Sequence, residues 1–236
     1  MRYRAYAATG NTFSYIDAQG RPLADAAALE RIRKLVIPPA WRDVWICPHE
    51  NGHIQVTGRD AKGRKQYRYH SAWRRVSDEN KFDRLPGFGR ILPKIRQQVE
   101  TDLRRHGLPR EKVLAAVIRL LKTTRIRVGN REYMRENHSF GLTTLRNRHV
   151  KISGEHLQFD FRGKSGKKHH IELDDPRLGR IVRRCRDIPG QDLFQYVDES
   201  GEIHRIGSSD VNNYLRAITG ADYSAKDFRT WAVPSN

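Results

Sequence analysis

Apolar residues recur along this chain with two different periods, and the change from one to the other divides it. Up to about residue 75 the pattern is short in range. Phe13 to Asp17 reads as a strand closed by Gln19-Gly20-Arg21-Pro22, and Leu29, Ile32 and Val36 mark a helix over 24–36 that Pro38-Pro39 stops. Val44 to Cys47 and His53 to Thr57 flank Glu50-Asn51-Gly52, the arrangement of a β-hairpin. Beyond residue 75 the period lengthens. Ile91, Ile95, Val99 and Leu103 give one amphipathic helix, Gly107-Leu108-Pro109 a break, and Val113, Val117, Leu120 and Thr124 the apolar face of a second helix over 110–127. Leu157, Phe159 and Phe161 then alternate with Gln158, Asp160 and Arg162 inside a strand meander from Val150 to Leu173, and helices are expected near 176–187 and 208–218. The fold class expected is α+β: a small β-rich N-terminal domain, residues 1–75, followed by a mostly α-helical domain, residues 76–236, with a small antiparallel sheet. There is no internal repeat and no low-complexity tract.

Charge narrows the partner. The 236 residues carry 45 Lys and Arg against 27 Asp and Glu, a formal net charge of +18. An excess of that size calls for a polyanion, and aromatic residues interleaved with the basic ones favour nucleic acid over a membrane. No apolar run approaches the roughly 18 residues of a membrane span, so a cytoplasmic, nucleoid-associated protein that does not engage membranes is expected. Cys47 and Cys185 are two lone cysteines suited to a reducing compartment. His169-His170 reads as part of a basic hairpin, and no metal is expected.

Three basic residues are the candidates for chemistry. Arg127, in Thr124-Arg125-Ile126-Arg127-Val128-Gly129, continues the apolar stripe of the helix over 110–127. A guanidinium placed there needs an anion at the edge of the core, either an internal carboxylate or a phosphate, unless the stripe has ended and the side chain snorkels to water. Lys164 lies in Phe161-Arg162-Gly163-Lys164-Ser165-Gly166, at a glycine-rich hairpin tip from which an ammonium can reach a neighbouring groove. Arg229 lies in Lys226-Asp227-Phe228-Arg229-Thr230-Trp231, where Asp227 either begins a helix or holds a guanidinium and the two aromatics anchor the segment.

In order, Thr-Arg-Ile-Arg-x-Gly, then Gly-Leu-Thr-Thr-Leu-Arg-Asn-Arg-His at 141–149, then Phe-Arg-Gly-Lys, then Lys-Asp-Phe-Arg-Thr-Trp resemble the catalytic domain of type IB DNA topoisomerases of the small poxvirus-like and bacterial kind. Residues 58–69, Gly58 to Tyr69, resemble the amino-domain element that those enzymes lay against DNA. The resemblance implies a monomeric enzyme that relaxes supercoiled duplex DNA without ATP or any other cofactor, through a transient 3′-phosphotyrosine. It implies that Arg127 and Arg229 clamp the non-bridging phosphate oxygens and that Lys164 protonates the departing 5′-oxygen. It further implies DNA contacts by Gln66, Tyr67, Tyr69 and Tyr133, with Arg59 and Lys65 beside them. Seven Lys and Arg against Asp60 in residues 59–75 favour a groove-facing strand over a core-packed one. Asn130 stands where poxvirus enzymes have a lysine, so that contact is not expected here.

The family's nucleophilic tyrosine falls beyond the position of Arg229, and no tyrosine follows Arg229 in these residues. The expectation is therefore an incomplete chain that binds duplex DNA without cleaving it. A tyrosine recombinase, which shares the same basic residues, is the remaining alternative; it usually shows His-x-x-Arg where this chain has Lys226-Asp227-Phe228-Arg229.

Overall fold

The computed structural model describes the backbone of residues 3–8 and 12–231, and the side chains of residues 13–73 and 84–231. The chain divides into two compact units, Met1–Phe82 and Asp83–Asn236. The first is built on a five-stranded antiparallel sheet in the order β2-β1-β3-β4-β5, from β1 (Tyr3–Ala8), β2 (Thr12–Ile16), β3 (Arg42–Ile46), β4 (Ile54–Arg59) and β5 (Lys65–Tyr69). Helix α1 (Ala26–Lys34) packs Ile32 with Ile37, Val44, Ile46 and Val56 into a small core. Asp25 begins that helix by accepting from the amides of Ala27 and Ala28, at 2.9 and 3.2 Å. The expected hairpin is present as the β3–β4 pair, and β5 lies at the sheet edge.

Helix α2 (Ser71–Leu103) begins in the first unit and ends in the second. The spacing of Ile91 to Leu103 predicts only its C-terminal part; Pro86 interrupts the sequence pattern before that stretch, and Pro93 lies within it. Both prolines are exposed, so water can serve the carbonyls that they leave without a donor. The opposite face of α2 buries Phe88, Leu92, Ile95, Val99 and Leu103.

The second unit is arranged around α3 (Arg110–Thr124), in which every residue from Val113 to Ile118, together with Leu120 and Leu121, is buried. A helix that is apolar on all sides is an interior helix, and its neighbours supply the solvent face. Neighbours that pack on it are α5 (Pro176–Asp187), β9 (Gln195–Val197), α6 (Ser208–Thr219) and α7 (Ala225–Trp231); the unit also holds α4 (Arg131–Asn137), a three-stranded antiparallel sheet of β6 (Val150–Ser153), β7 (His156–Arg162) and β8 (Lys168–Asp174), and β10 (Ile203–Arg205), which pairs with β9. The meander and helices α5 and α6 fall where the sequence places them; α4, β9, β10 and α7 are too short for a periodic signal. Among the described residues no helix is long and apolar enough to cross a membrane. Cys47 and Cys185 are both buried and unpaired, and burial pushes the Cys185 thiol up to about 12.

Candidate active site

Helix α3 ends three residues earlier than its stripe predicts. Arg125 adopts a left-handed conformation with φ of 56°, its amide donating to the Leu121 carbonyl at 3.0 Å. The Thr124 hydroxyl donates to the Leu120 carbonyl at 2.7 Å and accepts from the Ile126 amide at 3.3 Å. This local capping competes with another helical turn. Ile126 therefore takes the buried place that the spacing assigns to Arg127, and Arg127 is exposed on an extended segment instead of lying on a helical stripe.

That segment is fixed by the chain opposite. The Arg127 carbonyl accepts from the Leu142 amide at 2.8 Å, and the Val128 carbonyl accepts from the amide and hydroxyl of Thr143 at 2.7 and 2.9 Å. Gly129 has φ of 96°, and a Cβ on Gly141 would fall 2.5 Å from the Arg127 carbonyl, so only glycine at 141 permits the approach. One residue back, the Phe140 amide donates to the Arg162 carbonyl at 2.7 Å. Residues 140–143 thus join the Arg127 segment to the end of β7, where the Lys164 turn begins. That turn closes through the Gly163 amide on the Lys167 carbonyl at 2.7 Å, with Ser165 left-handed at φ of 64°.

Arg229 arrives on α7. The carboxylate of Asp227 accepts from the Ser224 amide and hydroxyl at 2.8 and 2.9 Å, so it caps the helix start; it also lies 3.8 Å from Arg84, so both roles foreseen for it occur. Phe88 of α2 seats α7 edge-on against Phe228 at 5.1 Å and Trp231 at 6.3 Å between ring centroids. Burial and the charge of Arg127 push the Arg229 guanidinium below its ordinary value. His169 of β8 is likewise pushed down, by burial, by Lys167 and by Arg127.

Arg127 is therefore within electrostatic reach of both α7 and the hairpin that carries Lys164. Among the described residues, Arg127, Lys164 and Arg229 make no side-chain hydrogen bond or ion pair. Some arginines elsewhere in the unit are tied to carboxylates, among them Arg105 to Asp102 at 2.6 Å, Arg110 to Asp210 at 2.7 Å and Arg119 to Glu100 at 2.6 Å. Two guanidinium groups held near each other without an acid repel, and an anion bound between them turns that repulsion into attraction.

The N-terminal candidates split between the two faces of β5. Lys65, Tyr67 and Tyr69 share the exposed face; Tyr67 and Tyr69 are 43 % and 42 % exposed, their rings stack at 6.2 Å, and the Lys65 ammonium lies 5.7 Å from the Tyr67 ring. Gln66 is on the other face, half-buried, with its amide donating to Asp60 at 2.9 Å. Strand alternation puts the two tyrosines on one face, as their spacing predicts, and Gln66 on the other. Asp60, lowered to about 2 chiefly by its hydrogen bond with Arg64, closes the β4–β5 turn. Arg59 donates to the Gly63 carbonyl at 3.0 Å. In the second unit Tyr133 is half-buried in the first turn of α4, and Asn130 is the cap of that helix, accepting from the Tyr133 amide at 3.0 Å. Asn130 thus has a structural role at the position where the resemblance has a lysine.

One Asp-Glu-His group among the described residues, Asp198, Glu202 and His204, brings three possible ligand atoms together. Its bonds are those of a closed hairpin turn: Asp198 accepts from Ser200, from the Glu202 amide and from His204.

Comparison with known proteins bears on what these elements are for. The sequence profile of the family described as eukaryotic DNA topoisomerase I, catalytic core, matches residues 70–234, and that of the bacterial DNA topoisomerase IB N-terminal domain matches residues 12–60. The chain belongs to the type IB DNA topoisomerase family. Among relatives in this family, the DNA topoisomerase 1B of Acanthamoeba polyphaga mimivirus is 34 % identical over 229 residues, covering 95 % of this chain and 68 % of the viral protein. DNA topoisomerase I of Monkeypox virus and DNA topoisomerase 1B of Vaccinia virus (strain Copenhagen) are each 29 % identical over 180 residues, 75 % of this chain. The chain spans about half, 53 %, of the length of those two topoisomerases.

Proposed function

We propose that this chain holds one backbone phosphate of duplex DNA between Arg127 and Arg229, and that Lys164 serves the oxygen leaving it. What supports this reading is that the charge of Arg127 is felt at Arg229, about a hundred positions away in sequence, while neither guanidinium has a carboxylate partner among the described residues. Arg127 and Arg229 would neutralise charge building on the non-bridging oxygens as a tyrosine hydroxyl attacks phosphorus. Lys164 would protonate the 5′-oxygen as its bond to phosphorus breaks, leaving a 3′-phosphotyrosine. Reversal after strand rotation reforms the phosphodiester, so no ATP is needed. A bidentate guanidinium has no equivalent in an ammonium, so lysine at 127 or 229 should not substitute.

DNA contact in the N-terminal unit is assigned to the exposed row Lys65, Tyr67 and Tyr69, supported by its exposure and basic setting. Gln66 would act through Asp60, and Tyr133 and Arg59 would contribute at the margin. Residues 1–236 include no tyrosine after Arg229, so a polypeptide of these residues is expected to bind duplex DNA and not cut it. Incubation with supercoiled plasmid tests this. Retarded but unrelaxed plasmid is expected; relaxed topoisomers with a trapped protein–DNA adduct would overturn the non-cleaving reading, and no retardation would overturn the DNA reading itself.

A further inference from the structure

Gly163 opens the Lys164 turn with φ of −94° and ψ of −167°, a backbone conformation open to any residue. What requires glycine there is a neighbour. A Cβ at position 163 would lie 2.5 Å from both Cδ2 and Nε2 of His169. His169 pairs across the sheet with Phe161 and stacks on its ring, with centroids 4.9 Å apart and planes inclined by 12°. Its imidazole thus fills the space beside Gly163 that a side chain at that position would take. Neither ring nitrogen has a hydrogen-bond partner among the described residues. Polar satisfaction therefore does not explain a histidine here; its shape and its place beside the turn do.

We infer that His169 is a positioning residue for Lys164: wedged between the Phe161 ring and the Gly163 backbone, it sets the start of the turn so that the lysine is presented on the same side as Arg127. The inference rests on the proposed phosphate site. The charge facing the imidazole from its own hairpin is Lys167, and from the segment after α3 it is Arg127; together with burial these keep the ring below its ordinary value. A neutral ring adds no third cation to a site already holding two arginines. Arg162, whose guanidinium lies against Gly166, braces the far side of the same turn.

The test is protection of lysine side chains from an acylating reagent, read by peptide mass spectrometry on the 236-residue chain with and without a short duplex. Lys164 in the unsubstituted chain should be protected several-fold more than Lys168. His169→Phe, which keeps the stacked ring, should retain that protection. His169→Ala should lose most of it while still binding the duplex. Gly163→Ala, which drives a methyl into the ring, should lose it too, and adding Gly163→Ala to His169→Ala should do little further harm because the obstacle is gone. Equal protection of Lys164 in all four variants would overturn the positioning role and leave the phosphate reading standing. Absence of protection in the unsubstituted, duplex-bound chain would overturn both.

Discussion

His149 ties the stability of the second unit to pH in a way that can be calculated. It is 8 % exposed, its Nδ1 accepts the Arg146 amide at 3.0 Å, and its ring meets Phe140 edge-on at 4.4 Å. Burial first, then Arg148 and Arg146, lower it to about 4. An unfolded histidine titrates near 6.5, so between these values the unfolded chain binds a proton that the folded chain refuses. Stability conferred by the neutral ring is then complete above about pH 7 and is lost as pH falls, levelling off below about pH 4. The linkage relation puts the loss at about 1.4 kcal/mol at pH ~5.5 and about 2.5 kcal/mol at pH ~4.5. His149→Asn keeps an acceptor for the Arg146 amide but cannot titrate. Urea denaturation followed by circular dichroism, at pH ~7.5, ~5.5 and ~4.5, should find the variant less stable at the highest pH, through lost ring contacts. The difference should shrink by about those amounts as pH falls. Parallel pH profiles for the two proteins would refute the reasoning, since every other titrating group is common to both.

Gly89 faces the Trp231 ring, and a methyl there would come within 2.4 Å of it. Gly89→Ala gains about 1 kcal/mol of helix propensity but overpacks the seat of α7, so duplex affinity should fall with Arg229 displaced; unchanged affinity in a binding titration would count against that seat. Tyr67→Ala and Tyr69→Ala should each weaken duplex binding by about 1 kcal/mol or more while leaving the melting temperature and the salt dependence nearly unchanged, because both rings are exposed and uncharged; filter binding across salt concentrations checks this. Asn130→Ala should cost about 1 kcal/mol by removing the α4 cap, whereas Asn130→Asp should be nearly neutral, as read by hydrogen exchange over residues 131–137.

Long-period elements were legible because burial imposes a repeat on them. The stripe of α3, the β6–β8 meander and helices α5 and α6 all sit where Val113, Phe159, Ile181 and Val211 demand burial. The N-terminal half of α2 was not legible, since the exposed Pro86 looks like a break. Nor was the end of α3: Thr124 and the left-handed Arg125 stop the helix by side-chain hydrogen bonding, a competition that apolar spacing does not register. For the proposed site, the order of short motifs suggested Arg127, Lys164 and Arg229, yet the residues that hold their segments were silent. Gly141 and Gly163 matter only through what approaches them, the Arg127 carbonyl and the His169 ring. The alternation of Tyr67 and Tyr69 to one face of β5 was legible, whereas the hydrogen bond that holds Gln66 to Asp60 on the other face was not.

The central claim is that Arg127 and Arg229 serve a DNA phosphate rather than an internal acid. Duplex affinity measured against salt concentration, together with thermal melting of the free chain, for the unsubstituted protein and for Arg127→Ala with Arg229→Ala, tests it most directly. The account predicts a salt slope shallower by about 0.9, one phosphate's worth, and a melting temperature that holds or rises as the mutual repulsion is relieved. An unchanged slope with a lowered melting temperature would mean that the two arginines serve the fold, and would contradict it.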